Sequence, residues 1–160
     1  MKTKILEETV LEGRSAAAKR YFLKGYSCSQ AVVLAFLDIL DIERETAVRI
    51  AGPFGGGMGR LREVCGAFSG ALIVLGEQMG YAAPEEHEQK KRLYRQVQKM
   101  AAIFEEKNGS IICRELLGLR KNEAGGMPDE RTSAYYKTRP CADLCAFAAS
   151  ALEQILKEEA

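Results

Sequence analysis

Residues 28–40 read CSQAVVLAFLDIL, a run in which apolar side chains occupy almost every position around a helix. Ser27 comes directly before this run, and serine is a favoured N-cap because its hydroxyl accepts a hydrogen bond from a free backbone N–H of the first turn. A helix that is apolar nearly all round lies inside a protein rather than on its surface. The sequence therefore predicts a central, buried helix that begins at Cys28.

Helical periodicity continues on both sides of this central helix. Caps, glycines and prolines mark the predicted bounds. The predicted elements are a first helix containing Leu6 and Val10 and running to about Lys24, with Gly25 as its stop; a third helix capped by Asp41 and ending near Ala51; a helix from Val64 to Met79, ended by Gly80; a long amphipathic helix from Pro84 to Asn108; a short helix from Ser110 to Leu117; and a last helix from Pro140. Residues 52–59, which read GPFGGGMG, and residues from about 121 to 139 are predicted loops.

Strand signals are absent from the sequence. No run combines alternating polarity with β-branched enrichment between turn residues, and no repeat or linker divides the chain. The sequence predicts an all-α fold in which residues 1–160 form a single domain, a bundle of about five to six helices.

The composition narrows the class of function. With 23 basic and 22 acidic residues the net charge is +1, so the basic surface expected of a nucleic-acid-binding protein is missing. No apolar run is long enough for a signal peptide or a membrane span, and we expect a cytoplasmic protein. There is no tryptophan, and the single histidine, His87, lies in a polar segment where we expect it to be solvated. Histidine-rich metal sites and Cys-His catalysis therefore have almost no material, and cysteine must carry any such role.

Five cysteines in a chain expected in the reducing cytoplasm point to thiol chemistry rather than to a permanent disulfide framework. Four of them fall at predicted helix starts: Cys28, Cys65, Cys113 and Cys141. Free backbone N–H groups and the helix dipole favour a thiolate there, so the sequence predicts lowered pKa values for these four thiols. The structural alternative is that each is a small apolar side chain in an alanine-rich helix.

The fifth cysteine, Cys145, lies four residues after Cys141. On one helix face this spacing separates the Cβ atoms by roughly 5–6 Å, and a disulfide between them would be strained. Shared ligation of a metal and a simple core position for Cys145 both remain open.

Five segments of the chain resemble the C-GCAxxG-C-C family of redox-active proteins. They are residues 25–31 (GYSCSQA), 54–59 (FGGGMG), 65–72 (CGAFSGAL), 113–118 (CRELLG) and 139–141 (RPC). The resemblance runs from about Gly25 to the end of the chain, although the family's middle block is written Gly-Cys-Ala and this chain reads Cys65-Gly66-Ala67. It implies redox activity and brings no specific substrate, cofactor or partner.

Together these features predict a thiol-based redox protein. In this hypothesis Cys28, Cys65, Cys113 and Cys141 converge at one end of the bundle and form reversible disulfides with an unidentified redox partner, as in a thiol–disulfide oxidoreductase. A second hypothesis is that the same four thiolates hold zinc or an iron–sulfur cluster, so the cofactor stays open. A third is a structural helical module that forms a homodimer through small-residue faces. The predicted helix from Val64 to Met79 has such a face, suited to close helix packing, formed by Gly66, Ala67, Gly70 and Ala71.

Two further groups of residues have more than one interpretation. The glycine loop at 52–59, followed by Arg60 and Arg62, favours tight packing or a substrate-admitting loop over a phosphate site, because it lacks the ending of a P-loop. Tyr135, Tyr136 and Arg139 precede Cys141. Packing on the bundle is the favoured interpretation for them, and a role at the mouth of a pocket is the alternative.

Overall fold

The computed structural model of the chain describes residues 12–119 and 126–160, and within them the fold is built from helices. Six helices have seven or more residues: α1 (Arg14–Leu23), α2 (Cys28–Leu34), α3 (Arg44–Ala51), α4 (Gly66–Met79), α5 (His87–Asn108) and α6 (Cys141–Glu159). Shorter helical turns lie at Leu37–Ile39, Gly52–Phe54, Gly55–Met58, Cys113–Leu116 and Ser133–Thr138. The predicted all-α bundle of five to six helices is confirmed. No helix in these two stretches has the length and apolar character needed to cross a membrane.

Helix α2 occupies the centre of the bundle, as predicted. It packs against α1, α3, α4 and α6, and Ala31, Val32 and Val33 are fully buried. Its first turn is held by a capping box in which the Ser27 hydroxyl accepts the Gln30 N–H, while the Gln30 side chain accepts the Ser27 N–H at 3.1 Å. The cap fixes the position of the residue that follows it, which is the first cysteine.

Helix α2 ends at Leu34, six residues before the predicted end at Leu40. The Ala35 carbonyl accepts a hydrogen bond from the Arg14 guanidinium at 2.8 Å, and the same guanidinium pairs with Asp38 at 2.6 Å. This cation holds the chain in the tighter turn that follows α2, so the prediction of one continuous helix is wrong at its C-terminal end.

The small-residue face of α4 packs closely against α2. At Gly70 an added Cβ would lie 2.7 Å from the Ser29 carbonyl oxygen, a distance that real Cβ atoms do not adopt. The Ser29 hydroxyl in turn donates to the Ala51 carbonyl at 2.6 Å, which ties α2 to the end of α3. The predicted close packing of this face therefore takes place within the chain.

Several predicted helix starts lie too early. Helix α3 begins at Arg44 and is capped by Glu43 rather than by Asp41, and the short helix begins at Cys113 and is capped by Ile112 rather than by Ser110. Helix α4 begins at Gly66 rather than at Val64, and α5 begins at His87 rather than at Pro84. Before α5, the Glu86 carboxylate accepts the backbone N–H groups of Ala82 and Ala83 at 2.6 and 2.8 Å, which holds this segment in a turn. His87 is exposed, as expected.

The predicted loop before the last helix also contains structure. Thr132 caps the helix Ser133–Thr138 by accepting the Tyr135 N–H. Leu6 and Val10 of the predicted first helix, and residues 121–125 of the predicted loop, lie outside the described residues. The prediction of a single domain over residues 1–160 therefore stays a prediction.

Candidate functional site

Four cysteines stand at the first positions of helices, as the sequence predicts. Cys28 and Cys141 are the first residues of α2 and α6. Cys65 is the N-cap of α4, and Cys113 opens the turn Cys113–Leu116. These four and Cys145 are all free thiols.

The structure brings these four cysteines around one cavity of about 50 Å³, here called the thiol cavity. Cys65 and Cys113 are buried, whereas Cys28 and Cys141 are half-buried. Cys145 is fully buried and is not one of the described residues that line the cavity. The helix starts therefore converge at one end of the bundle, with two thiols nearer to solvent than the other two.

The segments that carry Cys65 and Cys113 run antiparallel at the bridge between Val64 and Ile112. The Cys65 N–H donates to the Ile111 carbonyl at 2.7 Å, and the Cys113 N–H donates to a carbonyl of the facing segment at 2.6 Å. Successive side chains of an extended segment alternate between its two sides. Each cysteine directly follows its bridge residue, so the two side chains lie on the same face of the paired segments.

Gly57 makes room for Cys113. Its φ of +68° is in the left-handed region, and an added Cβ would lie 2.6 Å from the Cys113 Cβ and 2.8 Å from the Glu63 backbone nitrogen. Both the backbone conformation and the space favour glycine here. The glycine loop of residues 52–59 thus acts in tight packing, one of its two favoured interpretations.

We expect Gly57→Ala to destabilise the protein more than Gly118→Ala. Gly118 has nearly the same φ, +69°, but no atom within 4 Å of an added Cβ. Gly118→Ala should lower the free energy of unfolding by about 1–2 kcal/mol through backbone strain, and Gly57→Ala by about 3 kcal/mol or more because overpacking adds to that strain. Urea unfolding measures both values, and equal losses would contradict the packing role of Gly57.

Gly66 makes room for Cys28 in the same way. An added Cβ at Gly66 would lie 2.3 Å from the Cys28 Sγ and 2.9 Å from the Phe54 carbonyl oxygen. On its other side, the Cys28 carbonyl accepts the Cys145 thiol at 3.6 Å. The position of Cys28 is therefore determined by α4 and by α6.

Arg62 connects the thiols to a carboxylate. Its guanidinium lies 3.7 Å from the Cys113 Sγ and 3.1 Å from the Asp129 carboxylate, and the residue is only 5% exposed. Met58, Arg60 and Arg62 all have φ between 59° and 70°, an uncommon conformation for residues other than glycine. The Arg62 N–H donates to the Gly56 carbonyl at 3.3 Å, which holds the chain in this conformation.

A second arginine, Arg131, also lines the thiol cavity. Arg131 donates to the carbonyls of Phe22 and Tyr26 at 3.2 and 3.1 Å, and its guanidinium lies 4.3 Å from the centre of the Phe22 ring. It also lies 5.0 Å from the ring of Tyr135, which lines the cavity. The less favoured interpretation of Tyr135, a place at a pocket, therefore agrees with the structure. Tyr136 packs against Phe22.

The family model described as "Putative redox-active protein (C_GCAxxG_C_C)" matches residues 26–155. The chain therefore belongs to the C_GCAxxG_C_C family. No curated protein and no solved structure matches it significantly. Membership supports a redox role for the chain, and the match covers every cysteine of the sequence.

In this member of the C_GCAxxG_C_C family, burial sets the protonation of the inner thiols. Burial raises the pKa of Cys65, and the neighbouring Cys28 raises it further. The backbone N–H groups of Phe68 and Ala67, at the start of α4, donate to the sulfur and act in the opposite direction. Helix-start stabilisation of the thiolate is thus present at Cys65, but the loss of solvation is larger.

Cys113 and Cys141 follow the same pattern. Burial raises the pKa of Cys113 in spite of the hydrogen bond and charge of Arg62. Burial, and then Cys28 and Cys113, raise the pKa of Cys141 to about 12. The predicted lowering is therefore wrong for Cys65, Cys113 and Cys141, because these helix starts point into a cavity rather than into solvent.

The raised pKa gives the half-buried Cys141 a distinctive pH profile. We expect its alkylation by neutral iodoacetamide to accelerate about tenfold per pH unit from pH 7 to pH 10 without a plateau, since only the thiolate reacts. A cysteine in the unfolded chain should level off near its ordinary pKa of about 8.5. Mass spectrometry resolves the rate at each cysteine, and a plateau for Cys141 below pH 9 would contradict the expectation.

The second hypothesis from the sequence is metal binding by the four thiolates. Among residues 12–119 and 126–160 no group of three or more cysteine, histidine, aspartate or glutamate side chains is placed to hold a metal ion. The four thiols share a cavity without forming a ligand cluster.

A larger cavity of about 250 Å³, here called the arginine cavity, adjoins the thiol cavity. Ser27, Gly56, Arg62, Arg131 and Tyr135 line both. Because the two cavities share these walls, a molecule in the arginine cavity lies next to the thiols.

Sequence reasoning missed two residues of this site. Arg131 and Asp129 lie in a segment predicted to be a surface loop, where no periodicity distinguishes a buried charge from a solvated one. Asp129 pairs with Arg60 at 3.0 Å and with Arg139 at 3.7 Å. A charged segment followed by a cysteine at a helix start was the only available signal.

Proposed function

We propose that this chain exchanges electrons by thiol–disulfide chemistry at the thiol cavity. The observation that carries the proposal is that Cys28, Cys65, Cys113 and Cys141, from four separate segments, line one cavity as free thiols. If the four cysteines were independent core residues, we would not expect all of them to lie at helix starts around one cavity. Membership in a redox family supports the same conclusion.

Within this proposal Cys28 is the exchanging thiol. It is half-buried, and its charge acts on each of the other pocket cysteines, since it raises the pKa of Cys65, Cys113 and Cys141. A thiol that is both accessible and next to every other thiol can attack an incoming disulfide and then pass the bond inward. Cys141, the other half-buried thiol, is the proposed resolving partner.

The step balances in atoms and electrons. The Cys28 thiolate attacks one sulfur of a substrate disulfide, breaks its S–S bond and releases one thiol after protonation by water. The Cys141 sulfur then attacks the Cys28 sulfur as its proton passes through water to the leaving thiolate, which forms the intramolecular disulfide and releases the second thiol. The protein loses two electrons and two protons, and the substrate gains both.

The charges around the cavity assist these steps. Arg62 donates to the Cys113 sulfur, and the charges of Arg139 and Arg131 lower the pKa of Cys141 against the effect of burial. At neutral pH the raised pKa values keep Cys65, Cys113 and Cys141 protonated. Thiols of high pKa are poor leaving groups, so the proposed disulfide resists reduction. Its reduction potential therefore lies at the reducing end of the range for protein disulfides.

Equilibration of the purified protein in thiol–disulfide buffers tests the proposal. We expect a reversible two-electron transition with a midpoint of roughly −220 to −320 mV, the range of cytosolic glutathione. Peptide mapping of the oxidised form should give a Cys28–Cys141 disulfide. Thiols that stay reduced in every buffer, or stoichiometric zinc or iron in protein purified without oxygen, would overturn the proposed function.

A further inference from the structure

The arginine cavity has the position of a substrate site for the proposed exchange. It opens onto the thiol cavity through Arg62, Arg131 and Tyr135, which line both. Its volume of about 250 Å³ suits a small molecule and is far too small for a folded domain. A disulfide held there would have one sulfur close to the thiols.

The walls of this cavity select for charge. Three arginines and one aspartate, Arg60, Arg62, Arg131 and Asp129, are the charged residues among its described lining. The partners of Arg131 are two backbone carbonyls and aromatic rings, so its charge is not balanced by a carboxylate in the described part of the chain. Cations next to a cavity attract anions, and this attraction becomes stronger as water leaves the site.

The one carboxylate in the cavity shows how an acid is bound there. Burial acts to raise the pKa of Asp129, but the hydrogen bond and charge of Arg60, with the charges of Arg139 and Arg62, lower it. Asp129 is thus held as an anion by guanidinium groups, which bind carboxylates in a planar, two-pronged geometry. A substrate carboxylate that enters this cavity could form the same kind of contact with the guanidinium of Arg131, which also lines the cavity.

We propose that the arginine cavity binds small disulfides that carry a carboxylate, and that Arg131 is the residue that recognises the carboxylate. This inference rests on the proposed function and adds its substrate class. The bound disulfide supplies the oxidant: its S–S bond breaks as the bond to Cys28 forms, and it leaves as two carboxylate-bearing thiols after Cys141 closes the intramolecular disulfide. In the reverse direction the same thiols reduce the protein.

Three symmetrical disulfides with two-carbon arms test the proposal on the full chain. They are 3,3′-dithiodipropionate, with two carboxylates; bis(2-hydroxyethyl) disulfide, with no charge; and cystamine, with two ammonium groups. We expect the anion to react fastest and the cation slowest, with at least about a tenfold difference between them at low salt. The difference should shrink as ionic strength rises to about 0.5 M, because salt screens the cavity charges.

Substitutions at Arg131 assign the preference to the cavity. The readout is the ratio of the anionic to the neutral rate, since a change in thiol reactivity alters both rates together. Arg131→Gln should bring this ratio close to one, and Arg131→Lys should keep most of it. Arg95→Gln, which removes the same charge from an exposed site on α5 away from both cavities, should keep the ratio of the unmodified protein.

The outcomes separate the two proposals. Equal rates for the three disulfides, or a preference for cystamine, would overturn the carboxylate inference and leave thiol exchange standing. A preference that survives in Arg131→Gln would overturn the role of Arg131. Failure of all three disulfides to oxidise the protein would overturn the proposed exchange itself.

Discussion

Replacing Cys28 by serine is expected to lower the rate of disulfide exchange by about a hundredfold or more. Serine keeps the size and the capped start of α2 but is no nucleophile toward a disulfide at neutral pH. Cys141 remains half-buried, so it still reacts slowly with the substrate. Without the Cys28 sulfur this mixed disulfide has lost its proposed resolving partner. The measurement is the rate of thiol release from a small disulfide, with intact-protein mass spectrometry to detect the trapped adduct.

Cys145→Ser is the matched control for this experiment. Cys145 is fully buried, and its thiol donates to the Cys28 carbonyl, a hydrogen bond that a serine hydroxyl can also make. We expect exchange to stay within about twofold of the unmodified rate. Similar losses in the two variants would mean that the substitutions disturb packing around α2, and the central role of Cys28 would then fail.

The placement of cysteines at helix starts was accessible from the sequence because helix starts carry local signals. Ser27 and Pro140 mark the starts of α2 and α6, and each stands directly before its cysteine. Such caps depend on residues within one turn, so a single sequence is enough to find them. The positions of Cys28 and Cys141 follow from these two signals.

The placement of Cys65 and Cys113 on adjacent segments was not accessible in the same way. It depends on one antiparallel bridge between Val64 and Ile112, without a strand on either side that could leave a period of two in the sequence. The left-handed conformation of Arg62 accompanies a hydrogen bond to the Gly56 carbonyl earlier in the same segment, and the Arg62 side chain contacts Cys113, 51 residues away. Contacts beyond the reach of one helical turn decide both features.

The wrong prediction of lowered thiol pKa values has a physical cause. A sequence shows where a helix starts, but it does not show how deeply that start is buried. At Cys65 the hydrogen bonds from the α4 start act in the predicted direction, and burial exceeds them. Burial depth is a property of the whole bundle, and it reverses the sign of the shift.

Gly66→Ala is expected to remove exchange and to destabilise the protein by about 1–3 kcal/mol, the usual cost of overpacking. The new Cβ would lie 2.3 Å from the Cys28 Sγ, so the sulfur must leave its position, and 2.9 Å from the Phe54 carbonyl, which can move only with the backbone. Gly76→Ala is the control on the same helix. Gly76 is exposed with nothing within 4 Å of an added Cβ, and alanine there should stabilise α4 by up to about 1 kcal/mol.

A double-variant cycle shows whether the cost of Gly66→Ala comes from the sulfur. In a Cys28→Ala background the sulfur is absent, and only the contact with the Phe54 carbonyl remains. Gly66→Ala should then cost about 1 kcal/mol less than in the unmodified protein, because residues in direct contact couple by about 0.5–3 kcal/mol. Urea unfolding of the four proteins measures this coupling. Additive losses would mean that the Cys28 sulfur does not lie against Gly66, and the thiol cavity would lose its central member.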